Sequence, residues 1–146
     1  MSKELISKEI VAFNVKAETK EDVIRYIVDM MDKDGRLLNA DGYYADVLKR
    51  EATSSTAIGF SIATPHAKSE HVAEPSLAFI RLEKPMKWDE EEVSMVFQIG
   101  VPSPGQGDRH LEILAMLFRN LVYDEFVGKL ASSESEQDIV DMLSAI

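Results

Sequence analysis

Near the start of the chain, Ile10 and Ala12 on one side and Val11, Phe13 and Val15 on the other alternate, the two-residue period of a strand. The period then changes. Thr19 followed by Asp22 three residues later is a helix-start signal, and Val23, Ile24, Ile27, Val28, Met30 and Met31 recur at helical spacing until Asp34-Gly35 stops them. Asn39 and Asp41 are candidate caps for a second helix carrying Tyr44, Val47 and Leu48. That helix should end near Thr53-Ser54-Ser55-Thr56, whose hydroxyls compete for backbone groups and mark a loop. Three strand-like runs follow, Gly59 to Thr64, Ser76 to Leu82 and Val93 to Val101, separated by turn-rich or charged links. After the loop from Pro102 to Gly107, Asp108 is placed to cap an apolar helix with Leu111, Ile113, Leu114, Met116, Leu117, Phe118 and Leu121, a pattern that predicts burial on more than one side. Two shorter helices, Tyr123 to Leu130 and Glu134 to the C-terminus, are separated by Ser132-Ser133.

This order predicts a single α/β domain, a small mixed sheet of about four to five strands flanked by helices. No repeat or interdomain linker interrupts it. The pattern does not assign parallel and antiparallel pairings.

Composition narrows the function. The 146 residues carry a net charge of −10, which disfavours sequence-blind binding to nucleic acid or to an anionic membrane and favours a basic partner. Cysteine is absent, which excludes a disulfide scaffold, a thiolate nucleophile and every cysteine-containing zinc or iron–sulfur site. No stretch approaches the ~18 apolar residues of a membrane span, and the first ten residues contain no signal-peptide core, so a soluble cytoplasmic protein is expected.

Two familiar patterns fail on inspection. Gly100 and Gly105 are spaced as in a phosphate-binding P-loop, but Gln106-Gly107 stand where that loop needs Lys and then Ser or Thr. Gly59-Phe60-Ser61-Ile62-Ala63 approaches a nucleophile elbow without its last glycine, and Pro65 opposes the helix that must follow. The histidines are His66, His71 and His110. His66 and His71 are five apart in a proline-containing segment, which is no standard metal spacing, and no metal site is expected. His71 reads as a solvated loop residue.

His66 is more informative. Pro65 restricts Thr64 to extended geometry and so fixes the imidazole at a strand end, where sites form in α/β sheets. His110 should lie in the first turn of the long helix, where unpaired N–H groups favour an anion and disfavour an imidazolium. Two histidines at element ends suit a shared anion as well as a purely structural role.

The ordered runs Leu48-Lys49-Arg50-Glu51, Ser55-Thr56-Ala57-Ile58-Gly59, Ile62-Ala63-Thr64-Pro65-His66 and His110-Leu111-Glu112-Ile113-Leu114-Ala115 resemble the fructose/mannitol-type enzyme IIA domain of the bacterial sugar phosphotransferase system. Trp88 after Lys84-Pro85-Met86-Lys87 fits the same pattern, whereas Thr64 stands where the family commonly has an aliphatic residue. The resemblance implies a phosphotransferase/anion-transport-protein-like fold over residues 1–146, with His66 phosphorylated by the phosphocarrier HPr and dephosphorylated by an enzyme IIB. It implies Nε2 as the reacting atom and Arg50 and His110 beside the phosphohistidine; by residue type, Thr56 and its neighbour Ser55 are candidates to add a hydroxyl contact to the phosphoryl group. The physics agrees: a neutral imidazole offers one lone pair to phosphorus while an acceptor must hold its other N–H, and Arg50 supplies planar, permanently charged donors. Because the donor is itself a phosphohistidine, neither nucleotide, metal nor other cofactor is expected.

In the family, IIB domains of this type use a phosphorylated cysteine and IIC domains span the membrane. With no cysteine and no span, this chain is expected to be a free-standing IIA whose IIB and IIC partners are separate chains. HPr and IIB should share one surface, with Glu51, Glu70 and Asp108 as nearby acidic residues to steer a basic partner. Two other readings stand beside it. One is a regulatory nitrogen-type IIA paralogue that signals by phosphorylation-dependent protein binding; the other is a non-enzymatic anion- or protein-binding module.

Overall fold

The computed structural model of the chain describes residues 3–146. A single 3₁₀ turn at Lys8–Ile10 leads into β1 (Val11–Val15), and helices α1 (Lys20–Lys33) and α2 (Ala40–Thr53) follow. Their starts are made by the expected side chains: Thr19 Oγ1 accepts from the Asp22 amide at 3.1 Å, and Asn39 Oδ1 accepts from the Gly42 amide at 2.9 Å. Helix α1 buries Val23, Ile24, Ile27, Val28 and Met31, and stops where Gly35 takes a φ of 74° that a side chain would resist. Helix α2 buries Tyr43, Val47 and Glu51, and ends at the hydroxyl-rich loop as its sequence predicts.

The strands are β2 (Ala57–Gly59), β3 (Ile62–Ala63), β4 (His66–Ser69), β5 (Ser76–Trp88) and β6 (Glu91–Pro102). With β1 they make one six-stranded mixed sheet, larger than the four to five strands expected. The run from Gly59 to Thr64 is not one strand. It folds back as the β2–β3 hairpin, with Phe60 and Ser61 both at positive φ. The second run does not end at Leu82 either, because β5 continues through a register shift after Arg81 to Trp88 and pairs there with Glu91 of β6. The charged link read as a separator is the end of a long hairpin.

The order β1-β5-β6-β3-β2 has β1 parallel to β5, β5 antiparallel to β6, and β3 parallel to β6. Strand β4 also runs parallel along β6, opposite Ile99 to Pro102, whereas β3 lies opposite Met95 and Val96. The two are thus one line of chain along β6, interrupted at Thr64-Pro65. Pro65 cannot donate to the ladder, yet its carbonyl still accepts from the Ile99 amide at 3.1 Å, so the line stays in register across the break.

Alternation along β5 and β6 sends side chains to two cores. Ala78, Ile80 and Val96 join α1 and α2 on one face, while Leu77, Phe79, Phe97 and Ile99 meet α3 (Arg109–Leu121), α4 (Asp124–Ser132) and α5 (Glu136–Ser144) on the other. Helices and a sheet therefore form three layers. Gly100, read as half of a failed P-loop, lies inside β6, where an added Cβ would come within 3.1 Å of Met31 and the Tyr43 ring. Helix α3 corrects two expectations. Asp108 holds the capping position without a side-chain cap bond. The helix is buried on one side only, since Leu111 and Phe118 are 51% and 41% exposed.

Candidate functional site

His66 opens β4 immediately after the break. Its register opposite Ile99 directs it to the face that carries α3, and it is 7% exposed. Its Nδ1 lies 2.7 Å from the Thr64 carbonyl oxygen, two residues back. A carbonyl can only accept, so Nδ1 carries the hydrogen and Nε2 keeps the free lone pair. The extended Thr64-Pro65 backbone thus does two things: it ends β3 and it turns a carbonyl onto the imidazole that follows.

His110 sits in the first turn of α3, with its ring centroid 6.2 Å from that of His66 and its Nδ1 buried without a hydrogen-bond partner. Arg50, in the last turn of α2, donates from Nη1 to the Ser54 carbonyl at 2.9 Å and makes no pair with Glu51. Both histidines and Arg50 line one cleft of about 840 Å³ between α2, β4 and the start of α3. Lys49 and Lys68 add positive charge to its walls, and Leu111 and Phe118 give it an apolar margin.

Burial above all lowers the pKa of His66 below the ordinary imidazole value; Arg50 and His110 push the same way, against the Thr64 bond and Glu51. Burial and then Lys68 lower that of His110, with Asp108 opposing. Both shifts favour the neutral ring, the form in which His66 Nε2 keeps the lone pair that a nucleophile needs. A stability effect follows. With folded values depressed, the neutral rings contribute fully above the unfolded-state value of about 6.5, and that stability is lost as pH falls through the folded values. Urea denaturation between about pH 7.5 and pH 5 should show this loss, and the double variant His66→Gln/His110→Gln should show a shallower one. An identical slope in the double variant would contradict the assignment.

The hydroxyls read as phosphoryl contacts are differently engaged. Thr56 Oγ1 donates to Glu51 Oε1 at 2.6 Å and so has no hydrogen left for a phosphoryl oxygen. Ser55 Oγ accepts from the Ala57 amide at 3.2 Å and, after Lys20, helps hold the Asp89 carboxyl below its usual range. Both still line the cleft. Glu51 is not a surface charge that could steer a partner: it is 4% exposed, whereas Glu70 and Asp108 are exposed. His71 is a loop residue, in the turn after β4, but not a freely solvated one. It is half-buried, its carbonyl accepts from the Leu38 amide at 2.7 Å, and its ring lies against Gly42, where a Cβ would collide with it.

Sequence reasoning missed the Glu51 side chain and the Trp88 indole, which donates to Glu51 Oε2 at 3.1 Å. One signal was available, since a tryptophan in a strand core needs a partner for its N–H.

Residues 4–146 match the family model described as phosphoenolpyruvate-dependent sugar phosphotransferase system, EIIA 2. The chain is 33% identical over 141 residues to the PTS system fructose-specific EIIA component of Haloferax volcanii, covering 94% of this chain and 91% of that protein. It is 35% identical over 144 residues to the PTS system fructose-specific EIIABC component of Bacillus subtilis, covering 97% of this chain but only 22% of that protein. Among solved structures it resembles a chain in the complex of enzyme IIAMTL and phosphorylated enzyme IIBMTL from Escherichia coli. The TM-score there is 0.82, at 23% identity, over 97% of this chain and 100% of that one.

Proposed function

The chain belongs to the EIIA 2 family of the phosphoenolpyruvate-dependent sugar phosphotransferase system, and from that premise we propose that it relays a phosphoryl group from phospho-HPr, through His66, to a cysteine of an IIB protein. The relay serves uptake of a fructose- or mannitol-like sugar through a membrane IIC component and runs in the cytoplasm. No helix among the described residues is long and apolar enough to cross a membrane.

The observation that carries this reading is the 2.7 Å contact from His66 Nδ1 to the Thr64 carbonyl, which leaves Nε2 as the one nucleophilic nitrogen of a ring beside Arg50 and His110. In the first step the Nε2 lone pair forms a bond to phosphorus. The donor's P–N bond breaks, and its electron pair returns to the donor imidazole. In the second, the IIB thiolate attacks phosphorus and His66 leaves with the pair, again as a neutral imidazole. Both steps need positioning and charge stabilisation rather than a nucleotide. Arg50 neutralises the phosphoryl oxygens, and His110 lines the same cleft beside His66.

Incubation with phosphoenolpyruvate, enzyme I and HPr tests the reading. One acid-labile, base-stable phosphoryl group per chain is expected by intact mass, and an acid-stable adduct would contradict it. Arg50→Lys keeps the charge and loses the planar fork, so transfer should slow about tenfold or more in both directions with little change in folding. His110→Ala should accept phosphate and pass it on poorly. Rapid-quench rates equal to the unmodified chain in both variants would remove these two residues from the reaction.

A further inference from the structure

Glu51 presents a physical problem. Its carboxylate is taken out of water, and none of the ion pairs among the described residues includes it. A buried anion without a paired cation is costly and persists only where hydrogen bonds compensate it. Three do: Thr56 Oγ1 donates to Oε1 at 2.6 Å, and the Thr56 amide and Trp88 Nε1 donate to Oε2 at 2.9 and 3.1 Å. An apolar residue would fill this place at less cost. The bonds must therefore hold something that packing alone would not.

What they hold is Thr56, and Thr56 leads to the imidazole. The Thr56 carbonyl accepts from the Thr64 amide at 3.0 Å and from the Thr64 hydroxyl at 3.4 Å. The Thr64 carbonyl in turn accepts from His66 Nδ1 at 2.7 Å. Trp88, Glu51, Thr56, Thr64 and His66 form one continuous line, and every side chain in it is buried. The line joins the end of α2, the loop after it, the end of β5 and the break between β3 and β4.

We propose that Glu51, clamped between the Trp88 indole and Thr56, is a positioning residue that holds the Thr64 carbonyl in place and so fixes His66 as the Nδ1–H tautomer with Nε2 free. Histidine in water prefers the opposite tautomer, so without this restraint the ring would put its hydrogen on the nitrogen that must attack. Glu51 makes no hydrogen bond to the imidazole. Beside the charge it directs at His66, it acts through two backbone carbonyls, as the outer partners of metal-ligating histidines do. Thr64 gains a role that an aliphatic residue cannot fill, since its hydroxyl adds a second bond to the Thr56 carbonyl.

The inference rests on the reading of His66 as phosphoryl acceptor but is tested without any phosphoryl donor. Nitrogen-15 NMR of the unphosphorylated chain reads the His66 tautomer directly. The unmodified chain should show Nδ1–H alone. Glu51→Gln and Thr56→Val should show a mixture of tautomers and accept phosphoryl about tenfold to a hundredfold more slowly. Thr56→Ser, which keeps the hydroxyl, should restore both. If Glu51→Gln does not fold, Thr56→Val against Thr56→Ser decides the matter. A pure Nδ1–H signal in Thr56→Val would overturn the proposal. Tautomer mixing in the variants, with no phosphorylation even of the unmodified chain, would uphold the positioning role and reject the functional reading.

Discussion

His66→Gln is expected to abolish phosphoryl acceptance and all onward transfer to IIB, while the chain keeps its fold. The glutamine side chain is close in length to the imidazole and stays polar, but it has no nitrogen lone pair to offer phosphorus. The nucleophile alone is removed. Because the imidazole is 7% exposed and burial favours its neutral form, its replacement relieves a desolvated titratable group and should not unfold the sheet. His71→Gln is the matching control: its ring packs on Gly42, outside the cleft lining, and transfer should proceed at the unmodified rate. Radiolabelled phosphoenolpyruvate with enzyme I and HPr measures both variants in one gel. Label retained on His66→Gln, or lost from His71→Gln, would show that the acceptor has been misplaced.

The largest effect on stability is expected at Phe97→Ala. Phe97 is fully buried in the middle of β6, with its ring centroid 4.9 Å from that of Phe79 on the neighbouring strand. It belongs to the core that α3, α4 and α5 close against the sheet. Truncation leaves a cavity that the flanking strands cannot fill, at a cost of about 3–5 kcal/mol. That is a large share of the ~5–15 kcal/mol that holds a domain of this size together. Equilibrium urea unfolding should show a much lower midpoint with little change in slope. Phe97 lies two residues before Ile99, the register partner of His66, and on the same face. Transfer should therefore fall with the folded fraction, and the rate per folded molecule should be little changed. A midpoint near that of the unmodified chain would mean that the core can close around the gap.

The helices were legible because their signals are local. Thr19 and Asn39 accept from amides three residues on, and the apolar positions of α1 repeat inside one segment. The strands were less so. Strand β4 is four residues long and reads His-Ala-Lys-Ser, a sequence without alternation that is extended only because β6 supplies its ladder. Gly59 to Thr64 has the composition of a strand, and the positive φ of Phe60 and Ser61 that folds it back is one such residues rarely adopt. Helix α3 looks apolar all round, but only the contacts of the finished sheet show that Leu111 and Phe118 face the cleft and not the core.

The site divides in the same way. His66 could be placed at a strand end because Pro65 constrains its immediate neighbour. The partner of its Nδ1 is also local, only two residues back. Glu51 follows Arg50 in a charged run and so has the sequence context of a surface charge, while its partner Trp88 is 37 residues away in sequence. No periodicity within α2 can report a hydrogen bond to the far end of β5. The roles given to Thr56 and Ser55 were drawn from residue type. The type was compatible with a phosphoryl contact, but in the folded chain Glu51 takes the hydroxyl hydrogen of Thr56.

Nitrogen-15 and phosphorus-31 NMR of the uniformly labelled chain, phosphorylated by HPr, locates the phosphoryl group to a single atom. One phosphoryl group on Nε2 of His66, with Nδ1–H retained, is the expected result. A phosphoryl group on Nδ1 of His66 or on His110, or an unmodified spectrum in the presence of fully phosphorylated HPr, would contradict it.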